Sequence, residues 1–319
     1  MNNRPITVIS GNANKKLAEN ICRELKNRMS PSRVSRFNDG EIEIELAGPV
    51  RGCDVYVIQA TAPAVNDNFM ELCLILDALK RSNCWKVTAV MPYYGYGRQD
   101  KKLKSKVPIS AKAVADMIQA VGVDRILTMD LHSNQIQGYF NCPVDNMFAS
   151  PVFLPHMREQ VIKGVYSDIT IVSPDAGGIE RATFYAKRLD CSVAMFYKRR
   201  SAPGAIAQMT LLGDVEGRTA ILLDDMIDTA GTICDAANAL HDNGAKEVIA
   251  YATHGLFSGL ALERIDESDF DRVYVTDSIL QGEEILKSRK IRVVSCAKLL
   301  ASAISNIHNE TSVSKLFYV

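Results

Sequence analysis

The sequence predicts an α/β protein made of two similar halves, each a mainly parallel sheet flanked by helices. Three observations carry that prediction. Short apolar segments rich in Val and Ile recur along the chain without apolar–polar alternation, the pattern of strands covered on both faces. Between them lie amphipathic stretches with helix-type starts and stops. The third sign is internal: "GVDRILTMDLH" (122–132) and "GAKEVIAYATH" (244–254) both run from Gly through a strand to His over the same step.

The strands expected, in chain order, are "ITVIS" (6–10), "DVYVIQA" (54–60), "KVTAVMP" (86–92), "DRILTMDL" (124–131), "ITIVSP" (169–174), "SVAMFYK" (192–198), "TAILLDD" (219–225), "EVIAYAT" (247–253) and "DRVYVT" (271–276). Together they exceed an ordinary single sheet, and 319 residues with 47% hydrophobic content can fill two cores. Segment 66–83 opens on Asn and Asp and closes on Lys-Arg, while 110–122 opens on Ser110 and ends on Gly122. Both fit crossover helices. The halves are expected to meet near residue 150, around "FASPVFLP", giving domains 1–150 and 151–319 with the last residues packing back on the first.

Charge and cysteine usage exclude several classes. Lys+Arg and Asp+Glu both total 37, so no global basic field recruits nucleic acid. The eight cysteines are scattered, with no pair at zinc-knuckle or redox-motif spacing, and read as reduced core thiols. The apolar stretch after "MNNRP" is too short for a signal peptide, and no membrane-length apolar run occurs, so a soluble cytoplasmic protein without a membrane partner is expected.

In open parallel sheets ligands bind beyond the carboxyl ends of the strands. Those ends are polar here, and "ILLDDMIDTAGTI" (221–233) is the most telling: a buried strand runs into Asp224 and Asp225, then Asp228, Thr229, Ala230, Gly231 and Thr232. Small residues permit a tight turn, and backbone amides with the two threonine hydroxyls can surround a phosphate at the start of the helix "CDAANALHDNG". Paired acids repel phosphate but accept from sugar hydroxyls, so a phosphorylated sugar meets both demands. A single Asp would suffice for capping the helix.

This stretch resembles the ribose-5-phosphate loop of the phosphoribosyltransferase-type fold. With "FNDGEI" (37–42), "PYYGYGRQDKK" (92–102), "SKVPISAK" (105–112), "DLHSNQIQGYF" (130–140), "SPDAGG" (173–178), "YKRR" (197–200) and "THGLFSG" (253–259), it makes the chain similar to the ribose-phosphate diphosphokinases from about residue 6 to "SVSKLF" (312–317). The resemblance implies two phosphoribosyltransferase-like domains, the first with ATP-binding segments and the second with the ribose-5-phosphate loop. It also implies transfer of the diphosphoryl group of ATP to the anomeric hydroxyl of ribose 5-phosphate.

Residue by residue, it implies that Asp39, Gly40 and Glu41 contact ATP with Phe37 beside the adenine, although from composition alone Asn38-Asp39-Gly40 is simply a turn. Arg98 and Gln99 would hold the nucleotide, His132 and Asp175 a magnesium ion. Lys198 would be catalytic, and Arg200, Asp224, Asp225, Asp228 and Thr229–Thr232 would bind the sugar phosphate. A homohexamer, an ATP site shared between subunits, and phosphate and ADP as effectors are further family expectations. In the family an aspartate sometimes stands where this chain has Leu103, beside the effector segment.

Two other readings compete. A type I phosphoribosyltransferase is typically shorter and has no need of "FNDGEI" or "GRQDKK". A catalytically silent regulatory homologue tends to lose catalytic-loop residues, whereas Lys198 and Arg200 are present.

Overall fold

The computed structural model describes residues 4–199 and 208–317, with the backbone alone of Lys198, Arg199 and Gln208. The chain divides into two compact units. Residues 4–149, 277–280 and 295–317 form the first, and residues 150–199, 208–276 and 281–294 the second.

The first unit runs β1 (Ile6–Ser10), α1 (Lys15–Glu24), β2 (Ser32–Arg36), β3 (Ile42–Leu46), β4 (Asp54–Ile58), α2 (Val65–Arg81), β5 (Lys86–Met91), α3 (Ser110–Ala120), β6 (Arg125–Met129) and β7 (Val144–Met147). Its sheet has the order β1-β4-β5-β6-β7, all parallel. Met29 adds a parallel bridge to Val8 on the free side of β1. Beyond that bridge the chain forms a separate antiparallel hairpin from β2 and β3. Val55, Val57, Val87, Ala89 and Ile126 pack under Leu72, Leu76, Ala115 and Ile118 of α2 and α3, forming the apolar layer that the uninterrupted strand pattern requires.

The second unit runs α4 (Ser150–Ile162), β8 (Ile169–Ser173), α5 (Ile179–Leu189), β9 (Ser192–Arg199), β10 (Gln208–Leu212), β11 (Thr219–Ile227), α6 (Gly231–Asp242), β12 (Glu247–Gly255), α7 (Ala261–Glu267), β13 (Arg272–Thr276), α8 (Glu283–Lys287) and β14 (Ile291–Val294). Its sheet order is β10-β9-β8-β11-β12-β13-β14, parallel except for the β9–β10 hairpin. One face is the small-residue core of Val172, Ala220, Leu222, Ala250 and Val273 under α6. On the other, Tyr251 stacks on Tyr274 at 4.6 Å between ring centroids and shares hydrogen bonds with His156 and Tyr166.

The last helix, α9 (Ala297–His308), belongs to the first unit and packs on α1. Buried His308 and Asp54 meet there, Nδ1 to Oδ2 at 2.8 Å, and the Tyr56 hydroxyl donates to the same oxygen at 3.0 Å. Each of the expected strands forms, within two residues of the expected ends. The short strands β2, β3, β7, β10 and β14 were not foreseen, since they carry little of the continuous apolar signal. The cysteines are all free: five are buried and Cys84, Cys142 and Cys191 half-buried. No helix among the described residues is long and apolar enough to cross a membrane.

Candidate active site

The second sheet contains a topological switch. From β8 the chain leaves through α5 to β9 on one side, and from β11 through α6 to β12 on the other. A crevice opens where neighbouring parallel strands diverge in this way, beyond their carboxyl ends. Asp175 follows β8, and the acid-rich stretch ends β11, so both predicted sugar-side segments reach this edge. The β9 backbone at Lys198 lies one strand further along. The Lys198 side chain and Arg200 lie outside the described residues.

Strand β11 is longer than expected and carries Asp224 and Asp225 within it, opposite Ala252 to His254 of β12. The Asp225 amide donates to Asp224 Oδ1 at 2.8 Å, turning the two carboxyl groups together. Burial, a side-chain hydrogen bond and the charge of Asp225 push the Asp224 carboxyl up to about 8, while the Asp225 amide and Arg181 oppose the rise. The pair therefore holds close to one proton near neutrality. Arg181 Nη1 sits 3.8 Å from Asp224 and 3.9 Å from Asp225, too far for a tight ion pair.

Beyond the acids, Ala230 takes the left-handed conformation at φ 61°, and it makes no side-chain cap for α6. The tight turn thus falls on Ala230 rather than on Gly231, whose missing Cβ would meet only Arg264 Nη1 at 3.8 Å. The first amides of α6 have no side-chain partner from the cap residue, the condition under which a helix start receives an anion. The loop is held from behind by "THGLFSG": the amides of Leu256 and Phe257 donate to Ile227 O at 2.8 and 3.2 Å, and Ser258 N to Asp228 O at 3.0 Å. Arg264 donates to Thr229 O at 2.7 Å. Thr229 and Thr232 are exposed, Asp228 half-buried.

Asp175 is exposed and extended. Its Oδ1 accepts from the amides of Gly177 at 2.9 Å and Gly178 at 3.1 Å, capping the turn into α5 and leaving Oδ2 without a protein donor among the described residues.

In the first unit, Arg98 and Gln99 follow β5 and His132 follows the adjacent β6, all three exposed. Tyr93 and Tyr94 are buried, with the Tyr94 hydroxyl on Ala111 O at 2.8 Å, so they anchor the loop rather than present polar groups. Gly95 is required because a Cβ there would lie 2.8 Å from Thr61 O. Ser110 donates to the Gln99 side chain, fixing it against the start of α3. Asp130 is buried and accepts from Ala149 N at 2.8 Å, which makes it a structural brace beneath His132. "FNDGEI" forms the β2–β3 turn: Phe37 and Glu41 exchange a backbone hydrogen bond of 2.8 Å, Asp39 Oδ1 accepts from Glu41 N at 3.1 Å, and Gly40 has φ 95°. Phe37 is 53% exposed there. Residues 101–106 are an exposed charged loop, and Leu103 is 81% exposed. Among the described residues no three or more His, Cys, Asp or Glu side chains cluster as metal ligands.

Arg181 and Arg264 were missed in the sequence. Arg181 had a readable signal, a cation in the first turn of a helix, where the macrodipole disfavours it. Such a placement needs a compensating acid, and the pair on the adjacent strand supplies it. Arg264 had none, because its partner is a backbone carbonyl.

A parallel sheet whose switch-point crevice holds an acid pair followed by an uncapped helix start defines an α/β protein of phosphoribosyltransferase type. Residues 6–122 match the family model for the N-terminal domain of ribose phosphate pyrophosphokinase, and residues 200–318 that for the phosphoribosyl synthetase-associated domain. Ribose-phosphate pyrophosphokinase of Nitrosomonas europaea is 47% identical over 313 residues, 98% of each chain. That of Burkholderia pseudomallei is 48% identical over 313 residues, 98% of this chain and 97% of its own. The phosphoribosylpyrophosphate synthetase structure from Mycobacterium smegmatis superposes with a TM-score of 0.90 at 38% identity, covering 96% of this chain and all of that one. The chain belongs to the ribose-phosphate pyrophosphokinase family.

Proposed function

We propose that this protein transfers the diphosphoryl group of ATP to the anomeric hydroxyl of D-ribose 5-phosphate, giving AMP and 5-phosphoribosyl 1-diphosphate for nucleotide and amino-acid precursor synthesis in the cytoplasm. The observation that carries this reading is the Asp224–Asp225 pair, held together against its own repulsion at a strand end and followed directly by the uncapped start of α6. Sugar hydroxyls donating to the pair, with the 5-phosphate on the amides of Gly231 and Thr232, satisfy every group in the segment.

The first unit supplies the nucleotide side: Phe37 against the adenine, Asp39, Gly40 and Glu41 on the nucleotide, and Arg98 and Gln99 as donors to its polar groups. The anomeric oxygen attacks the β-phosphorus in line, and the bond from that phosphorus to the α,β-bridging oxygen breaks, releasing AMP. Lys198, with Arg200 two residues on in the sequence, stabilises the charge spreading over the transferring oxygens, so positioning and cationic stabilisation carry the rate. A magnesium ion bound with ATP would supply charge neutralisation of the phosphates. Asp175 suits it as a hard oxygen donor whose Oδ2 is uncommitted, and His132 offers a nitrogen ligand. Magnesium takes few protein ligands and prefers oxygen, so Asp175 fits it, while the imidazole of His132 is a less usual donor. The active protein is proposed to be a homohexamer responsive to phosphate and ADP.

The test is direct: purified protein with ATP, magnesium and ribose 5-phosphate, with AMP followed by chromatography and the diphosphate product by phosphorus NMR. Stoichiometric appearance of both is expected. Nucleotide binding without turnover would mark a regulatory homologue instead.

A further inference from the structure

The β2–β3 hairpin is not bonded into the main sheet, and a lone two-stranded hairpin is marginal in water. Val34, Ile44 and Leu46 rest on the first unit's core, but apolar packing alone does not fix how far a hairpin slides over it. Polar contacts to α2 do. Glu71, 3% exposed, accepts from Asn12 N at 3.0 Å and Gln59 Nε2 at 2.9 Å on Oε2, and from Asn12 Nδ2 at 2.9 Å on Oε1. The same Asn12 amide group donates to Val34 O on β2 at 3.1 Å. One helical turn earlier, Asp67 pairs with Arg36 at 3.0 Å, and Arg36 donates onward to Gly40 O in the hairpin turn at 3.1 Å. Asp67 and Glu71 are spaced i, i+4 and so share a face of α2.

We propose that Asn12 and Glu71, with Arg36 and Asp67, are positioning residues that fix the β2–β3 hairpin on α2 and thereby set the presentation of Phe37–Glu41 to the nucleotide. The proposal rests on the nucleotide-binding role given to that turn above. Three features point the same way. A buried carboxylate is costly unless its oxygens are fully hydrogen-bonded, and Glu71 meets three donors, two of them from Asn12. Gln59 completes the network by accepting from Ala13 N at 3.2 Å, so the whole 11–13 loop is locked. Gly11 lets that loop press on Gln59, since a Cβ there would lie 2.2 Å from its Oε1.

The decisive variant is the double substitution Asn12→Asp with Glu71→Gln. It reverses donor and acceptor between the two side chains and so restores their mutual hydrogen bond. The new carboxylate, however, has nothing to donate to Val34 O. The expected result is a melting temperature and a KM for ribose 5-phosphate close to wild type, kcat at saturating ATP within about twofold, and a KM for ATP raised about tenfold, the scale of one lost hydrogen bond. Arg36→Met, at a side chain 43% exposed and hence safe for folding, should shift the KM for ATP in the same direction. Phe37→Ala separates the two levels of inference. If it leaves the KM for ATP unchanged, the turn does not bind nucleotide and the proposal falls with that role. If it raises the KM while the double variant and Arg36→Met stay at wild-type values, the positioning role alone is wrong. Equal rises in both KM values with a lower melting temperature would make these residues merely structural and overturn it too.

Discussion

Replacing Asp224 by Asn should make the protein more stable and a poorer enzyme, and the gain in stability should depend on pH. In the unfolded chain Asp224 ionises near the ordinary carboxylate value, whereas in the folded chain it holds its proton up to about pH 8. Between those limits the folded state binds the extra proton, so the contribution of Asp224 to stability is fully present below about pH 4 and is lost as pH rises through 8. The whole shift taken at about 1.4 kcal/mol per pH unit is a ceiling of roughly 6 kcal/mol. The side chain is 32% exposed, so solvent screening reduces the cost to about 1–2 kcal/mol.

Asparagine has no proton to lose and mimics the protonated acid. At about pH 3.5, below the unfolded value, the variant and the wild type should melt together. At pH 8.5 the variant should melt about 3–6 °C higher, using about 2–4 °C per kcal/mol for a domain of this size. The assay is thermal unfolding by circular dichroism of both proteins at both pH values, with chelator and without substrates, since a bound cation would relieve the same repulsion. A gain of equal size at both pH values, or a loss at pH 8.5, would show that the acid pair is not under electrostatic strain. The same variant should bind ribose 5-phosphate up to about tenfold more weakly, because the amide nitrogen cannot accept from a sugar hydroxyl and a neutral hydrogen bond is worth about 0.5–1.5 kcal/mol.

Lys198→Ala should lose about 3 kcal/mol or more of transition-state stabilisation, read as kcat in the AMP-release assay with the melting temperature unchanged; near-normal turnover removes Lys198 from the mechanism. Gly95→Ala should destabilise the first unit by about 1–3 kcal/mol in urea unfolding and raise the KM for ATP, because the new methyl meets the Thr61 carbonyl, a backbone atom with no room to yield. His308→Ala should cost about 2–4 kcal/mol in the same measurement by leaving the buried Asp54 carboxyl with Tyr56 alone, and an unchanged urea midpoint would mean that α9 is held by its apolar contacts only.

The strands that carry the two sheets were legible because burial on both faces leaves a continuous Val/Ile signal, as in "ITVIS" and "TAILLDD". The hairpin β2–β3 was not, since "SRVSR" and "IEIEL" put charged side chains on one face of a two-stranded ribbon, and the turn between them reads only as Asn-Asp-Gly. The end of β11 was placed too early, because two acids look like a strand terminus until a neighbouring strand is seen pairing past them. The small residues Ala230 and Gly231 read alike as the tight turn, and it is Ala230 that takes the left-handed conformation, which costs an L-residue about 1–2 kcal/mol. Chain-distant partners such as Arg181 with Asp224, or Arg264 with Thr229 O, leave no periodic trace. They had to be seen.

The repeated element order explains why chemistry-bearing motifs fall where they do. In each unit a first strand and helix lead to a second strand segment, Met29 in the first and Ser192–Arg199 in the second, beside the first strand, and the chain then makes an antiparallel hairpin before the next parallel strand. "FNDGEI" is the hairpin turn of the first unit, and "RSAPGAIAQ", with Arg200, lies between the paired strands β9 and β10 of the second. A loop between paired strands can lengthen without disturbing the strand order, so it is one place where a repeated scaffold can take on two different functions. Here the first copy fixes its hairpin through Asp67 and Glu71 of α2. In the second unit the helix at the corresponding place, α6, begins beside the sugar-phosphate loop. Helix α6 also touches β10, but its first turn carries no acid to bind a hairpin and keeps its amides for a phosphate, whereas the first turn of α2 carries Asp67, which pairs with Arg36.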